Sequence, residues 1–258
     1  MTGNNGGIVI QDRDRHLLRE LPVMRVIDRE QAKCVAKFGS TTRANTRLLA
    51  MKRAGLIRSF SIGTTVSGKK ALYSLSKRGA ALVDVPYRGL RRASDETIVA
   101  DVFLTHQLRI NEIYLTVKYR PIPVPDVRFL EWKSFHAPIH PNHSLIPDGY
   151  FALAVPGKTL AAYLEIDLGN ESRSVWRKKA EAYISYAISG TFEQQFSLPQ
   201  FRTLVVANSE RRLASLRAAT AELTEKIFWF TTFEAVTKNG FWSAIWQRPT
   251  DPRLQSLI

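Results

Sequence analysis

The stretch YLEIDLG, residues 163–169, decides the fold of the second half of this 258-residue chain. Successive side chains of a β-strand point to opposite faces, so residues two apart share a face. Glu165 and Asp167 are two apart in a run that is otherwise mostly apolar. The stretch therefore predicts a core strand that carries two neighbouring carboxylates.

Strand-like and helix-like runs alternate around this stretch. The strand-like runs cover residues 127–132, 149–155, 160–168, 202–207 and 227–233. Helical patterns at residues 174–189 and 209–223 lie between the last three strands. Strands and helices in this order form a mixed sheet with helices packed against it. We therefore expect an α/β fold.

A third carboxylate, Asp148, opens the preceding strand in the triplet Pro147-Asp148-Gly149. If the two strands pair, Asp148 meets Glu165 and Asp167. Carboxylate oxygens suit Mg²⁺ or Mn²⁺, which can activate water and neutralise the charge that develops on a phosphodiester. We expect Asp148 and Glu165 to bind such an ion, and Asp167 to bind it or to orient a water. In the alternative, the acids only form salt bridges with the following helix.

The positive charge of the chain is concentrated in its first third. The chain holds 37 Lys and Arg against 23 Asp and Glu, which gives a net charge of +14. Residues 11–83 hold 16 Lys and Arg against 5 Asp and Glu, so most of the excess lies there. A basic segment of this kind favours a polyanionic partner. We expect this third to bind double-stranded DNA.

Three short helices and a β-hairpin are expected in the basic third. The helical patterns cover residues 12–21, 28–39 and 40–55, and the first of them ends where Pro22 cannot continue a helix. Residues 56–62 and 71–75 alternate apolar and polar on either side of a turn rich in Gly, Ser and Thr. A short helix follows at residues 76–82. This is the order of a winged helix.

One phrase strengthens that interpretation. The sequence LLAMKRAGLI, residues 48–57, resembles the end of the recognition helix in many bacterial winged-helix DNA-binding domains. Side chains outside the apolar stripe of this helix offer groups suited to base edges and phosphates. With two lysines at the hairpin tip, the candidate DNA-contacting residues are Arg43, Asn45, Thr46, Arg47, Lys52, Lys69 and Lys70. The alternative is a solvated basic face of a protein–protein adaptor.

The charge boundary near residue 84 coincides with a helix-stopping sequence that contains Pro86 and Gly89. We expect a flexible N-terminus at residues 1–10, a winged-helix domain at 11–83 and a linker at 84–93. The remaining residues, 94–258, would form the α/β domain, which begins with a long helix from Ser94 to Tyr119.

The α/β part resembles the PD-(D/E)XK nuclease fold, through Pro147-Asp148 and then Glu165-Ile166-Asp167 on the next strand. Where that family has lysine, this chain has Asp167. The following helix offers basic residues, and in some members of the superfamily the lysine has moved to such a helix. Lys179, one turn before Tyr183, is the preferred candidate; in the alternative it or Arg177 merely pairs with the strand acids.

Together, the basic winged helix and these motifs resemble the replication-relaxation family of bacterial plasmids and mobile elements, over roughly residues 12–232. The resemblance implies a role in replication or mobilisation by DNA binding, with metal-dependent nicking or endonuclease activity as one hypothesis. A non-enzymatic DNA-binding accessory factor or transcription regulator with a degenerate nuclease-like dimerisation domain is the other.

Three further expectations concern the setting of the protein. The sequence has no apolar run of membrane-spanning length and no secretory signal pattern, so we expect a cytoplasmic protein without a membrane partner. A single cysteine, Cys34, excludes an internal disulfide. The aromatic C-terminal part, which includes Phe241, Trp242 and Trp246, favours a homodimer.

Overall fold

A computed structural model describes residues 8–63, 69–89 and 97–258, with residues 97–101 described at the level of the backbone only. The chain divides into two compact units, Met1–Tyr119 and Arg120–Ile258, called unit one and unit two below. None of the helices in the described ranges is long and apolar enough to cross a membrane.

Unit one combines five helices with a small sheet among its described residues. In chain order the elements are α1 (Asp12–Met24), β1 (Ile27–Asp28), α2 (Arg29–Val35), α3 (Thr41–Arg53), β2 (Ile57–Gly63), β3 (Lys69–Leu75), α4 (Lys77–Val83) and α5 (Thr97–Lys118). β2 and β3 form the predicted antiparallel hairpin, and β1 pairs with the other edge of β3. The predicted turn, residues 64–68, lies outside the described residues.

Side-chain caps set the starts of three of these helices. The side chains of Asp28, Ser40 and Ser76 accept hydrogen bonds from backbone N–H groups two to three residues into α2, α3 and α4. The expected end of α1 at residue 21 is wrong, because the helix continues through Pro22 to Met24. Proline in the last turn removes only one hydrogen bond, and the N–H of Arg25 still bonds the carbonyl of Leu21.

The long helix α5 belongs to unit one, although we expected it in the second domain. The buried Asn111 side chain donates to the carbonyl oxygens of Val26 at 2.6 Å and Met24 at 3.2 Å. The amide of Gln31 donates to the carbonyl of Leu108 at 3.0 Å. These bonds satisfy buried backbone groups after α1 and within α5. The apolar and amide side chains of α5 therefore complete the core of unit one, and the division falls at Tyr119 rather than at residue 84.

Unit two is built on a five-stranded mixed sheet. Its elements are β4 (Arg128–Lys133), β5 (Gly149–Val155), β6 (Lys158–Asp167), α6 (Arg173–Ile188), α7 (Thr191–Phe196), β7 (Arg202–Ala207), α8 (Glu210–Ala221), β8 (Phe228–Thr232) and α9 (Phe233–Asn239). The sheet order is β4-β5-β6-β7-β8, antiparallel up to β6 and parallel from β6 to β8. The predicted α/β fold with a mixed sheet is confirmed.

The sheet is buried against α6 and α8 by a largely aromatic core. Tyr163 of β6 contacts the rings of Tyr183 and Tyr186 on α6 and that of Phe201 before β7. All four side chains are buried, and tilted or edge-on ring pairs of this kind stabilise a core beyond the area they bury. This packing fixes α6 over β6, so that side chains from α6 reach the carboxyl end of β6.

Candidate functional site

Glu165 lies at the centre of a polar cluster beside the carboxyl end of β6. Its side chain is only 2% exposed. Tyr183 donates its hydroxyl to Oε1 at 2.6 Å, and the Nζ of Lys179 donates to Oε2 at 3.1 Å. Both partners come from one face of α6, because residues four apart on a helix are neighbours. The sequence prediction that Lys179 faces the strand acids is consistent with this geometry.

Asp148 completes this cluster from the neighbouring strand end. Its Oδ2 accepts the N–H of Ile166 at 2.7 Å, while its own N–H bonds the carbonyl of Leu164 at 3.1 Å. These two bonds hold the start of β5 against β6. The carboxylate lies close enough to Glu165 and Lys179 to raise the pKa of each. Asp148, Glu165 and Lys179 are thus brought together.

The electrostatics of the cluster follow from its burial. Removal from water raises the pKa of Glu165, and the Lys179 ammonium partly offsets this effect. The Glu165 carboxylate in turn raises the pKa of Lys179. Burial also raises the pKa of Tyr183, which keeps its hydroxyl protonated as a donor. The cluster therefore contains two acids, Asp148 and Glu165, and one cation, Lys179, which is hydrogen-bonded to Glu165.

We expected Asp167 to join the other two acids, but the structure pairs it with Arg212 instead. Its two carboxylate oxygens accept from Nε and Nη2 of Arg212, both at 2.7 Å, and Oδ1 also accepts the N–H of Gly169 at 2.8 Å. Its side chain is 5% exposed. A bidentate guanidinium is a strong partner for a carboxylate. Nothing in the strand sequence indicates Arg212, since it lies 45 residues later, on α8.

The donor set decides what ion could bind here. No group of three or more His, Cys, Asp or Glu side chains within the described ranges is placed to hold a metal ion. Asp148 and Glu165 supply two carboxylates from adjacent strands. Mg²⁺ keeps several waters and is commonly held by one or two carboxylates. Asp148 and Glu165, the two ligands that we expected, are of the type that a hydrated Mg²⁺ or Mn²⁺ takes, but Asp167, which we expected to bind the ion or to orient a water, is paired with Arg212 instead.

The second candidate region is the face of α3 that points away from the core of unit one. Ala44, Leu48 and Met51 are buried, whereas most of the predicted DNA-contacting residues of α3 are exposed: Arg43, Asn45, Thr46 and Lys52. The exposed set offers a guanidinium, an amide, a hydroxyl and an ammonium. These are the groups that read base edges and bind phosphates.

Arg47 is the exception on α3, and the expectation that it faces solvent is wrong. Its Nε donates to Asp14 Oδ1 at 2.8 Å, its Nη2 bonds the other oxygen of Asp14, and the Asp14 side chain is fully buried. Nη2 also bonds the carbonyl of Val9 at 2.5 Å. Arg47 therefore ties α3 to α1 and to residues just before α1. Residues 1–7 of the predicted flexible N-terminus lie outside the described residues.

The two predicted hairpin lysines begin β3. Both are exposed, and Nζ of Lys70 lies 2.5 Å from Oδ2 of Asp28. The Lys70 side chain is 43% exposed, but that of Asp28 is only 11% exposed, so this ion pair is partly buried. Lys69 and Lys70 therefore stand on the hairpin arm next to its turn.

Comparisons with known proteins bear on the identity of the chain. The model of the replication-relaxation family matches residues 18–198, more than two thirds of the sequence. No curated protein matches it. Two solved structures of the restriction endonuclease FokI overlap it loosely. One has a TM-score of 0.30 and 10% identity, over 88% of this chain and 43% of that one.

The second FokI structure, which is bound to DNA, has a TM-score of 0.27 and 11% identity, over 93% of this chain and 46% of that one. The chain spans less than half the length of these two proteins, and overlaps this loose carry no argument. The family match rests instead on the sequence itself and runs from α1 to the end of α7. By that match, the chain belongs to the replication-relaxation family.

Proposed function

We propose that this chain is a DNA-binding protein that acts in the replication or mobilisation of a plasmid or other mobile element. The observation that carries the proposal is the outward face of α3, where Arg43, Asn45, Thr46 and Lys52 are all exposed. The basic excess of residues 11–83 lies in the same unit. Membership of the replication-relaxation family supports the biological setting.

The geometry favours double-stranded DNA as the partner. A helix with its polar face exposed, next to a basic hairpin, presents the elements by which winged helices contact a major groove and the adjacent backbone. Arg43 and Asn45 are of the types that pair with base edges, and Lys52, Lys69 and Lys70 are suited to phosphates. Arg43 and Asn45 would therefore recognise the base sequence, and the three lysines would position the protein on the DNA backbone.

Fluorescence anisotropy with labelled duplex DNA tests this proposal. Wild type should bind with an affinity that falls with salt, by about 0.9 in log–log slope for each phosphate neutralised. Arg43→Ala should weaken binding by about 1–3 kcal/mol if it reads a base. Glu30→Gln is a suitable control, because Glu30 is exposed in the same unit and its ion pairs among the described residues are local, with Arg29 and Lys33. Wild type that binds no duplex at any salt concentration would contradict the proposal.

A second candidate function, metal-dependent DNA cleavage, is favoured by the meeting of Asp148, Glu165 and Lys179. Asp148 and Glu165 would hold a divalent ion, which supplies activation of water and neutralisation of phosphate charge when bound. Lys179 would stabilise negative charge on the phosphodiester. Tyr183 orients Glu165 by donating to one of its oxygens. The site would thus use two metal ligands, one cation that binds the phosphate and one positioning residue.

A nicking assay on supercoiled plasmid with Mg²⁺ or Mn²⁺ tests the cleavage proposal. Asp148→Asn and Lys179→Ala should abolish cleavage while DNA binding by unit one persists. Lys178→Ala is the matched control, since Lys178 is the exposed neighbour of Lys179 and points about 100° away around the helix. Tight DNA binding by wild type with no cleavage of supercoiled, linear or branched DNA would refute the cleavage proposal.

If wild type does not cleave DNA, the hypothesis of a non-enzymatic accessory factor remains. The pairing of Asp167 with Arg212 favours it, because an acid bound on both oxygens by a guanidinium is committed to holding α8 against β6. Unit two would then serve for partner contact or for the homodimer that we predict. Sedimentation of the purified chain measures that oligomeric state.

A further inference from the structure

A basic cavity lies at the amino ends of β6, β7 and β8 in unit two. Its volume is about 300 Å³, at the small end of the range for cavities that bind ligands. Among the described residues that line it, four are cationic and none is acidic: Lys158, Arg202, Lys226 and Arg248. Lys158 is the first residue of β6 and Asp167 is the last, so the cavity and the Glu165 cluster lie at opposite ends of this strand.

Arg202 and Arg248 meet at the ring of Trp229, which also lines the cavity. The guanidinium carbon of Arg202 lies 4.5 Å from the ring centroid, and that of Arg248 lies 4.7 Å from it. Trp229 is only 7% exposed, and its Nε1–H has no hydrogen-bond partner among the described residues. Because guanidinium groups are attracted to aromatic faces, this ring holds two like charges together at one wall of the cavity.

Backbone pairing places these three residues side by side. Arg202 opens β7, and Trp229 lies in β8, the strand that pairs with β7. Arg248 follows Gln247, whose N–H and C=O groups both bond the backbone of Phe230 in β8 at 2.9 Å. The two arginines therefore reach the tryptophan from opposite neighbours of one strand.

Neither arginine has a carboxylate partner among the described residues. Arg202 donates Nη1 to the carbonyl of Leu257 at 2.5 Å, and Arg248 donates Nη2 to the carbonyl of Glu225 at 2.8 Å. A guanidinium has five N–H donors, so each arginine keeps donors for a ligand. Burial lowers the pKa of both arginines, and the charge of Arg248 lowers that of Arg202 further. Positive charge is thus concentrated here without a described acid to balance it.

We propose that this cavity binds a phosphate group through Arg202 and Arg248, with the exposed Lys158 and Lys226 adding positive charge around it. The ligand class is a phosphate monoester or diester, from the backbone of a nucleic acid or from a free phosphate compound. The nucleic-acid source rests on the proposed function, whereas the site itself does not. The site shares no residue with the cleavage proposal.

The chemistry of the cavity favours phosphate over a carboxylate. Guanidinium groups bind phosphate oxygens through charge-assisted hydrogen bonds that are often paired. A phosphate monoester has three terminal oxygens, so it can accept from both arginines at once, whereas a carboxylate has only two. Neighbouring like charges destabilise each other, and a bound anion removes this cost. An unbalanced pair of cations in a cleft is therefore typical of an anion site.

The indole N–H signals of the five tryptophans, recorded by NMR on the isotope-labelled full chain, test the site. Inorganic phosphate is the probe, at constant ionic strength. The Trp229 signal, which is identified by its loss in Trp229→Phe, should move with phosphate and saturate. The Trp176 signal is the internal control, because Trp176 is buried on α6 and its Nε1 donates to Thr220 at 3.0 Å.

Two variants should weaken phosphate binding to different extents. Lys226 is exposed, and Lys226→Gln should raise the half-saturating phosphate concentration about two- to fivefold, the range for one exposed ion pair. Arg248→Gln should raise it about tenfold or more, because a charge-assisted hydrogen bond is lost. Lys238→Gln is the matched control, since it removes the same charge from an exposed position on α9, outside the cavity, and should titrate like wild type.

The salt dependence of duplex DNA binding identifies the source of the phosphate. If a DNA phosphate enters the cavity, the log–log slope of Lys226→Gln should be shallower than that of Lys238→Gln by about 0.9. Equal slopes, together with a phosphate-dependent Trp229 signal, assign the site to free phosphate compounds. Both results support the site.

Failure of the inference and failure of the proposed function give different results. The phosphate site is overturned if the Trp229 signal moves no more than the Trp176 signal does, or if Lys226→Gln and Arg248→Gln titrate like Lys238→Gln. DNA binding by unit one can stand in either case. If wild type binds no DNA, the proposed function fails, and the phosphate titration still decides the site on its own.

Discussion

Replacing Arg47 by alanine should destabilise unit one rather than remove a DNA contact. The change leaves the Asp14 carboxylate, which is fully buried, without its guanidinium partner. Breaking a buried ion pair from one side costs about 3–5 kcal/mol. We expect the lower end, about 3 kcal/mol, because Asp14 still accepts the N–H of Gln11 at 2.7 Å. For a unit of this size that corresponds to a loss of roughly 12 °C in unfolding temperature.

Calorimetry on the full chain measures the effect, with Arg43→Ala as the matched control. Arg43 is on the same helix and carries the same charge, but its side chain is exposed, so its loss should cost less than about 0.5 kcal/mol. The double variant Asp14→Ala/Arg47→Ala should lose less than the sum of the two single losses. The reasoning is refuted if Arg47→Ala unfolds at the wild-type temperature and weakens DNA binding as much as Arg43→Ala does.

Three further predictions concern groups that the structure shows to be buried or crowded. Asn111→Ala should lower the stability of unit one by about 1–3 kcal/mol, measured by denaturant unfolding, because two buried carbonyls lose their donor. Tyr183→Phe should cost unit two about 1–3 kcal/mol in the same assay, since its hydroxyl bonds the buried Glu165; unchanged stability would show that this bond contributes nothing. Gly79→Ala should destabilise strongly, because a Cβ there would lie 2.0 Å from a backbone oxygen, whereas a Cβ at Gly63 meets no described atom within 4 Å and Gly63→Ala should be tolerated; equal melting temperatures for these two variants would contradict the packing.

The fold was predictable where a local pattern determines it. The strands of unit two follow from runs of apolar residues, and the starts of α2, α3 and α4 follow from side-chain caps at Asp28, Ser40 and Ser76. The placement of α5 was not predictable in this way. Its buried contacts join residues about 80 positions apart, such as Asn111 and Val26, and no local pattern contains that information.

The candidate site was predictable in part for the same reason. The strand register brings Asp148 beside Glu165. Lys179 and Tyr183 are one helical turn apart on α6, so both side chains reach Glu165. The pairing of Asp167 with Arg212 depends on how α8 packs, so the sequence alone did not reveal it. Arg47 was misassigned because a basic residue at the edge of an exposed helix face looks the same whether it meets solvent or a buried acid.

Hydrogen–deuterium exchange of the full chain, with and without duplex DNA, tests the central claim most directly. The claim is that DNA is bound by the outward face of α3 and by the hairpin of unit one. Exchange should slow on DNA binding in peptides that cover residues 41–53 and 57–75, and this protection should be lost in the Arg43→Ala variant at matched DNA concentration. Tight DNA binding that leaves exchange in both segments unchanged would contradict the claim.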